Sequence, residues 1–315
     1  MPITQASQGL VIPDLYRRTF SNNFEMVASQ STSRFAECAI VSTFDGKEYV
    51  YQDIDETSFK QKTERMARTV AGEMSFSRRK ITKKSFYDHK VFDRDDKTLL
   101  AQLSEPKSEL VTQFKKAWAK LWDEQFIAAL DGTVYGGSGE ELVTPITFDS
   151  AHNAVAVDYV ATGSETNSGL TMEKLQRARV ILEEQEYCSE GEDADCEVYC
   201  GMSPKMKNDL FEQAKAQKTS PYSAMVVDWY NDPQNKRLFG FRVKIQNRLP
   251  INSSDIENCF VWSKEAMRIS SDQVETVISN RPDLSHATQV SAYGKIGAMR
   301  RWENGVVRIA CDRSP

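Results

Sequence analysis

Between residues 104 and 131 apolar side chains recur every three or four positions. Leu110, Phe114, Ala117 and Leu121 form one stripe, and Val111, Trp118 and Trp122 form an adjoining one. That period belongs to an amphipathic helix. Ser104 can cap it, Pro106 fits the first turn and Asp131-Gly132 supplies a stop. At 1.5 Å per residue it spans about 40 Å, long for one element of a globular domain, so it reads as a spine on which others pack. A second helix follows Thr171, with Met172, Leu175, Ala178 and Ile181/Leu182 on one face. A third opens at Ser203-Pro204 and carries Met206, Leu210 and Ala214, with Ser203 as cap and Pro204 at the first helical position.

Strand signals lie between and after these helices. Glu197 to Met202 is a short strand, Phe241 to Gln246 alternates so that one face is buried and one wet, and Cys259–Trp262 and Val306–Cys311 close the chain. From Gly46 to Asp88 short alternating stretches, Glu48-Tyr49-Val50-Tyr51 and Lys80-Ile81-Thr82-Lys83, suit a two-stranded excursion. An isolated hairpin of that length is marginal in water, so it needs a neighbour to lie on. Residues 1–36 show little periodicity and read as an extended arm draped over something else, while Gly132 to Ser150 is glycine-rich and then extended. The class is α+β with long excursions and no internal repeat.

Composition narrows this picture. A length of 315 residues with 40% hydrophobic and 27% charged positions can bury a sizeable core without disulfide or metal support. The mean hydropathy of −0.52 describes a wet surface. No apolar run is long enough to span a membrane, and the amino terminus lacks a charged-then-apolar leader, so the chain is expected to stay where it is made. Of six cysteines the one cluster, Cys188, Cys196 and Cys200, has no CxxC pair and no nearby histidine, short of a zinc site. Free thiols are expected, with a redox-dependent Cys188–Cys196 or Cys188–Cys200 bond as the lesser reading.

Enzymatic anchors are missing. Neither Gly46-Lys47-Glu48 nor Gly294-Lys295-Ile296 has the glycines of a phosphate-binding loop, and Gly136-Gly137-Ser138-Gly139 runs into Glu140-Glu141, which would repel an anion. Serine-elbow and zinc-protease motifs are absent. Of three histidines, His152 alone has a carboxylate at a suggestive spacing, Asp149, and a loop pair explains it. No active site and no cofactor are assigned.

Charge is where the chain departs from the ordinary. From Lys60 to Lys90 ten Lys/Arg face three acids, a local +7 inside a chain whose total is −5, with Phe59, Phe76, Phe86 and Tyr87 interspersed. A solvated face, a nucleic-acid arm and a contact between subunits each account for it. The third has a complementary patch in residues 183–197, with eight acids and no base. The interface candidates are therefore Arg78, Arg79, Lys80, Lys83 and Lys84 on one side, and Glu183, Glu184, Glu186, Glu192 and Asp193 on the other. Reversing Lys83 and Lys84 to Glu is expected to block assembly and leave the monomer folded.

The order of these elements resembles the major capsid proteins of tailed bacteriophages with the Hong Kong 97-type fold. The likeness rests on the arm, the two-stranded loop, the spine helix ending Phe126-Ile127-Ala128-Ala129-Leu130-Asp131-Gly132, and Leu170-Thr171-x-x-Lys174-Leu175. It continues through Val198 to Pro204, Phe239-Gly240-Phe241-Arg242-Val243 leading to Asn247-Arg248-Leu249-Pro250, and Gln289 to Ile309. The resemblance implies an N-terminal arm (1–45), an extended loop (46–95), a peripheral domain (96–160) with the spine helix 104–131, an axial domain (161–268) and closing peripheral strands (269–315). It implies a non-enzymatic shell subunit that forms pentamers and hexamers around double-stranded DNA, assembled in the host bacterial cytoplasm and carried in the virion. Because the loop begins near residue 46, the likeness points to a separate scaffolding protein, beside a portal at one vertex and room for a decoration protein. No membrane is involved. An encapsulin-like compartment and a nucleic-acid-binding module using residues 60–90 are the alternatives.

Overall fold

Side-chain chemistry at Thr171 and Ser203 shows how locally much of this fold is set. Each hydroxyl accepts from the backbone N–H three residues on, Lys174 and Met206, and starts a helix whose buried positions are those the periodicity names. The computed structural model describes residues 30–54, 74–92, 107–137, 141–161, 166–185, 197–217, 221–232, 237–272, 274–284 and 286–313, with single positions 57, 59, 61 and 163. In chain order the elements are β1 (Ile40–Val41), β2 (Glu48–Ile54), β3 (Phe76–Thr82), β4 (Lys84–Phe92), α1 (Lys107–Asp131), β5 (Val134–Gly136), β6 (Thr144–Ile146) and β7 (Ala154–Val155). They continue with α2 (Met172–Glu184), β8 (Val198–Met202), α3 (Pro204–Ala216), α4 (Pro221–Asn231), β9 (Arg242–Ile245) and β10 (Ile256–Ser263). Last come β11 (Met267–Ser271), β12 (Glu275–Arg281), β13 (Ala287–Arg300) and β14 (Val306–Asp312).

The chain divides into two compact units, one of residues 1–31, 86–118 and 274–294, the other of residues 32–85, 119–273 and 295–315. In the first, β12 pairs antiparallel with the front half of β13, from Glu275↔Tyr293 to Arg281↔Ala287. Leu110 and Phe114 of α1 pack on Val290 and Ala292 with Val274. Trp118 lies over Gly294, where an added Cβ would come within 2.3 Å of the indole, so only glycine lets the ring sit there.

The second unit holds a five-stranded sheet in the order β7-β14-β10-β8-β9. Alternate residues of β8, β10 and β14 bury Cys200, Cys259, Val261, Val307 and Ile309. Trp262 is fully buried among Phe35, Phe126 and Tyr199, with ring centroids 5.4–6.2 Å away. Phe35 belongs to the segment expected to drape as an arm; residues 1–29 lie outside the described residues, and those from Ser33 on are pinned. Asp123 of α1, fully buried, accepts from Ser33 Oγ at 2.5 Å, from the Arg34 N–H at 3.2 Å and from Gln246 Nε2 at 3.0 Å. Trp262 Nε1 donates to Cys38 O at 2.9 Å.

One buried cation closes this region. Lys174 Nζ donates to four backbone carbonyls, Val157, Ser168, Gly169 and Ala310, at 2.7–3.1 Å. Burial lowers its pKa below the ordinary lysine value.

Several expectations need correction. Ala117, placed on the apolar stripe, is exposed, and the buried line of α1 runs through Phe114, Trp122, Phe126 and Leu130 with Asp123 beside it. Helix α4 was not anticipated, and the strand over Cys259–Trp262 extends back to Ile256. β9 does not alternate cleanly: Val243, Lys244 and Ile245 are all half-buried. Ser104, Pro106, Cys188 and Cys196 lie outside the described residues. Cys38, Cys200, Cys259 and Cys311 are free and buried, and Cys200 lies with its Sγ 3.7 Å from that of Cys259.

Candidate subunit-interface site

The predicted two-stranded excursion begins as a regular antiparallel hairpin: Glu48 pairs with Thr82 and Ile54 with Phe76. β3 is also paired on its other side, Arg79 with Gly136 and Lys80 with Tyr135 of β5, so the hairpin rests on its own subunit as its marginal stability requires. Its base crosses β13 at Gly297, where a Cβ would meet the Thr82 carbonyl at 2.6 Å; glycine permits the approach.

Three ion pairs hold the hairpin in place. Lys83, expected at the surface, is buried; its Nζ donates to Asp272 Oδ1 and to Phe44 O, both at 2.6 Å, and lies 4.2 Å from the Phe44 ring centre. Because this charge is buried and paired within the subunit, reversing Lys83 with Lys84 is expected to disturb the subunit as well as its contacts with others. Arg79 donates from Nη1 to Glu303 Oε1 at 3.0 Å and to Arg300 O at 3.2 Å. Burial lowers its pKa, and the Glu303 carboxylate opposes that shift. Glu303 also accepts from Arg300 Nε at 2.7 Å, and Arg300, fully buried, donates to Leu130 O and Gly132 O at the end of α1. One carboxylate thus joins β3 to the helix terminus. Arg301 pairs with Asp53 and lies over the rings of Tyr51 and Trp302.

The remaining basic candidates differ. Lys80 pairs with Glu48 at 3.4 Å. Arg78 is half-exposed opposite Gln52, and Lys84 is exposed. On the acidic side, Glu183 and Glu184 pair with Arg179 (2.6 Å) and Arg177 (3.2 Å) of their own helix α2. Glu186, Glu192 and Asp193 lie outside the described residues, as do Lys60, Lys62, Arg65 and Arg68. Sequence reasoning missed Asp272, Glu303 and Arg301; no local pattern marks them, since Glu303 lies 224 residues from Arg79 and Asp272 189 from Lys83.

Nothing described gathers a catalytic constellation. His152 and Asp149 form an exposed pair at 2.7 Å, as a loop turn does. Its hydrogen bond from His152 lowers the Asp149 pKa. Among the described residues no group of three His, Cys, Asp or Glu could hold a metal ion, and no described helix is long and apolar enough to cross a membrane.

The family model for phage capsid protein matches residues 12–313. The chain belongs to the phage capsid protein family. Among solved structures, the Ralstonia phage GP4 capsid is 14% identical over 100% of this chain and 99% of that one, with a TM-score of 0.66. The cyanophage Pam1 capsid is 13% identical over 99% and 98% of the two chains (TM-score 0.67), and that of cyanophage P-SCSP1u 14% over 96% and 94% (0.65). At such identities these likenesses establish the fold, and it is the mixed helix-and-sheet Hong Kong 97-type capsid fold. No curated protein matches in sequence. This capsid protein is a major shell-forming component of the virion, and its family is structural rather than an enzyme class.

Proposed function

We propose that the capsid protein assembles with itself into pentamers and hexamers that close an icosahedral shell around double-stranded DNA. In this reading the arm (1–45), loop (46–95), peripheral (96–160, 269–315) and axial (161–268) divisions act as the parts of one subunit. Separate scaffolding protein and a portal direct closure in the host cytoplasm. The observation that carries the reading is the hairpin: Lys83, Arg79 and Arg301 hold it along its length, from its base to Asp53, while just beyond the last of these pairs Ile54 and Phe76 stay exposed. An apolar pair projected from a fixed base is suited to contact another subunit.

The basic residues thereby change part. Arg79, Lys80 and Lys83 set the hairpin on its own subunit, and Arg78 and Lys84 remain as the basic contacts offered to a neighbour. Three of the five cations being matched to carboxylates also weighs against a nucleic-acid module, which needs them for phosphates. Electron microscopy of the chain co-expressed with its scaffolding protein tests the proposal: closed shells are expected, and a monomer that persists at high concentration would refute it.

A further inference from the structure

We propose that Asn304 is a site of spontaneous covalent modification, at which the backbone nitrogen of Gly305 turns the side-chain amide into an acid and so loosens the hold of the subunit on β3. Asn304-Gly305 is the one Asn-Gly pair in the chain. It forms the centre of the turn between β13 and β14, which Val306 closes by donating its N–H to Glu303 O at 3.3 Å. Such a pair is most at home in the mirror-image turns, where both central residues have positive φ. Neither residue has one here, and the closing hydrogen bond is long, so the turn opens at little cost. Asn304 is exposed and no hydrogen bond engages its amide. The Gly305 N–H has no acceptor among the described residues, and without a Cβ on Gly305 nothing on that side crowds the approach.

In the step, the Gly305 nitrogen gives its proton to hydroxide and attacks Cγ of Asn304. The bond from Cγ to the side-chain nitrogen breaks, that nitrogen leaves as ammonia with a proton taken from water, and a five-membered imide remains. Water then opens the ring at either carbonyl, leaving aspartate or its backbone-lengthened isomer, isoaspartate. Water is consumed and ammonia released, with no oxidant or reductant. Asparagine is thermolabile by this kind of chemistry, and local geometry decides which one reacts. Asn252, also followed by a small residue, Ser253, is protected: its Oδ1 accepts from the Ser254 and Ile256 N–H groups, both at 2.9 Å, which fixes the side chain. The consequence at 304 comes from its neighbour. Glu303 bridges Arg79 of β3 and the buried Arg300, which in turn donates to the carbonyls at the end of α1. Either product sets a second negative charge beside that carboxylate, and isoaspartate also adds a backbone atom to the turn that positions it. A virion outside a cell replaces none of its protein, so the change accumulates with age.

The test incubates the full-length chain at mildly alkaline pH, folded and in denaturant side by side, and follows its asparagine peptides by mass spectrometry, with electron-transfer fragmentation to locate isoaspartate. In the folded chain residue 304 is expected to gain the mass of an amide-to-acid exchange, about tenfold faster for each unit of pH because the ionised nitrogen attacks, while Asn252 stays intact. Hydrogen exchange in the aged chain should rise in β3 and at residues 130–136. Asn304→Asp should show part of that rise without ageing, and Asn304→Ser, which has no amide to lose, should keep its protection throughout. Conversion confined to denaturant, or no faster at 304 than at 252, overturns the site. Conversion at 304 with exchange no higher than in the aged Asn304→Ser chain overturns the loosening.

Discussion

The sheet around Trp262 and the hairpin base around Lys83 are both buried, yet they are held together by opposite means. Around Trp262 the ring contacts are aromatic, and polar groups border them: an indole N–H to Cys38 O, the Tyr199 hydroxyl to Glu197, Asp123 beside Phe35 and a pair of thiols. From the hairpin base along the strand pair the contacts are Lys83–Asp272, Arg79–Glu303 and Arg301–Asp53, with a small apolar cluster of Ile81, Val134 and Met299 beside them. Apolar packing is strong and non-directional, and it suits a core that has only to exclude water. Charge-assisted hydrogen bonds are directional, and they suit an element whose angle matters but which has little surface to bury. A projecting strand pair needs the second kind of support.

That contrast can be broken residue by residue. Trp262→Ala should cost about 3–5 kcal/mol and be the most damaging change, read as a lower urea midpoint for the whole subunit. Glu303→Ala leaves the buried Arg300 charge without its carboxylate, and a loss of about 2–3 kcal/mol is expected. Hydrogen exchange should then rise at residues 130–136 and in β3, whereas Trp262→Ala should raise it throughout. Lys83→Met should cost about 1–2 kcal/mol, because Asp272 is 42% exposed on its side chain and can rehydrate. Its exchange signature should be confined to β2–β4. Lys84→Glu should leave stability within about ±0.5 kcal/mol while lowering shell yield, which separates the exposed lysine from its buried neighbour.

The smallest signal probes the other region. Burial raises the Cys38 and Cys311 thiols to about 12, and the Cys259 thiol is raised by its hydrogen bond with Cys200 and by burial. Since the thiolate is the nucleophile, on the order of one molecule in a thousand is ionised at about pH 9 for a pKa of about 12. Alkylation followed by peptide mass spectrometry should leave Cys38 and Cys311 unlabelled from about pH 7 to 9, and label both in denaturant. Labelling that climbs steeply across this range in the folded chain would contradict the burial.

The two regions also differ in how far the sequence reveals them. Helices α2 and α3 are legible to the capping residue, because Thr171, Ser203-Pro204 and the buried positions lie within a few residues of one another. Helix α4 is not: Pro221-Tyr-Ser-Ala-Met-Val-Val-Asp-Trp-Tyr-Asn is rich in β-branched and aromatic residues, and the burial of Val226 and Trp229 favours it where propensity does not. On α1 the helical period is legible, but Ala117 of its stripe is exposed and Asp123, which no apolar period marks, is buried, because a carboxylate can be buried only if donors from elsewhere meet it. Those donors, Ser33, Arg34 and Gln246, are 89 to 123 residues distant. The candidate site follows the same rule. The excess of cations is visible in the sequence, whereas their assignment to Glu303, Asp272 and Glu48 depends on the folded sheet.

Lys174 illustrates a different economy. Four carbonyl oxygens around one buried positive charge, with no carboxylate among them, is the kind of cage in which other proteins hold a free cation. Here the ion is tethered by its own side chain. It cannot be chelated, exchanged for another ion or lost when the surroundings become dilute; only a rise in pH, to which burial makes it more sensitive than an exposed lysine, can remove the charge.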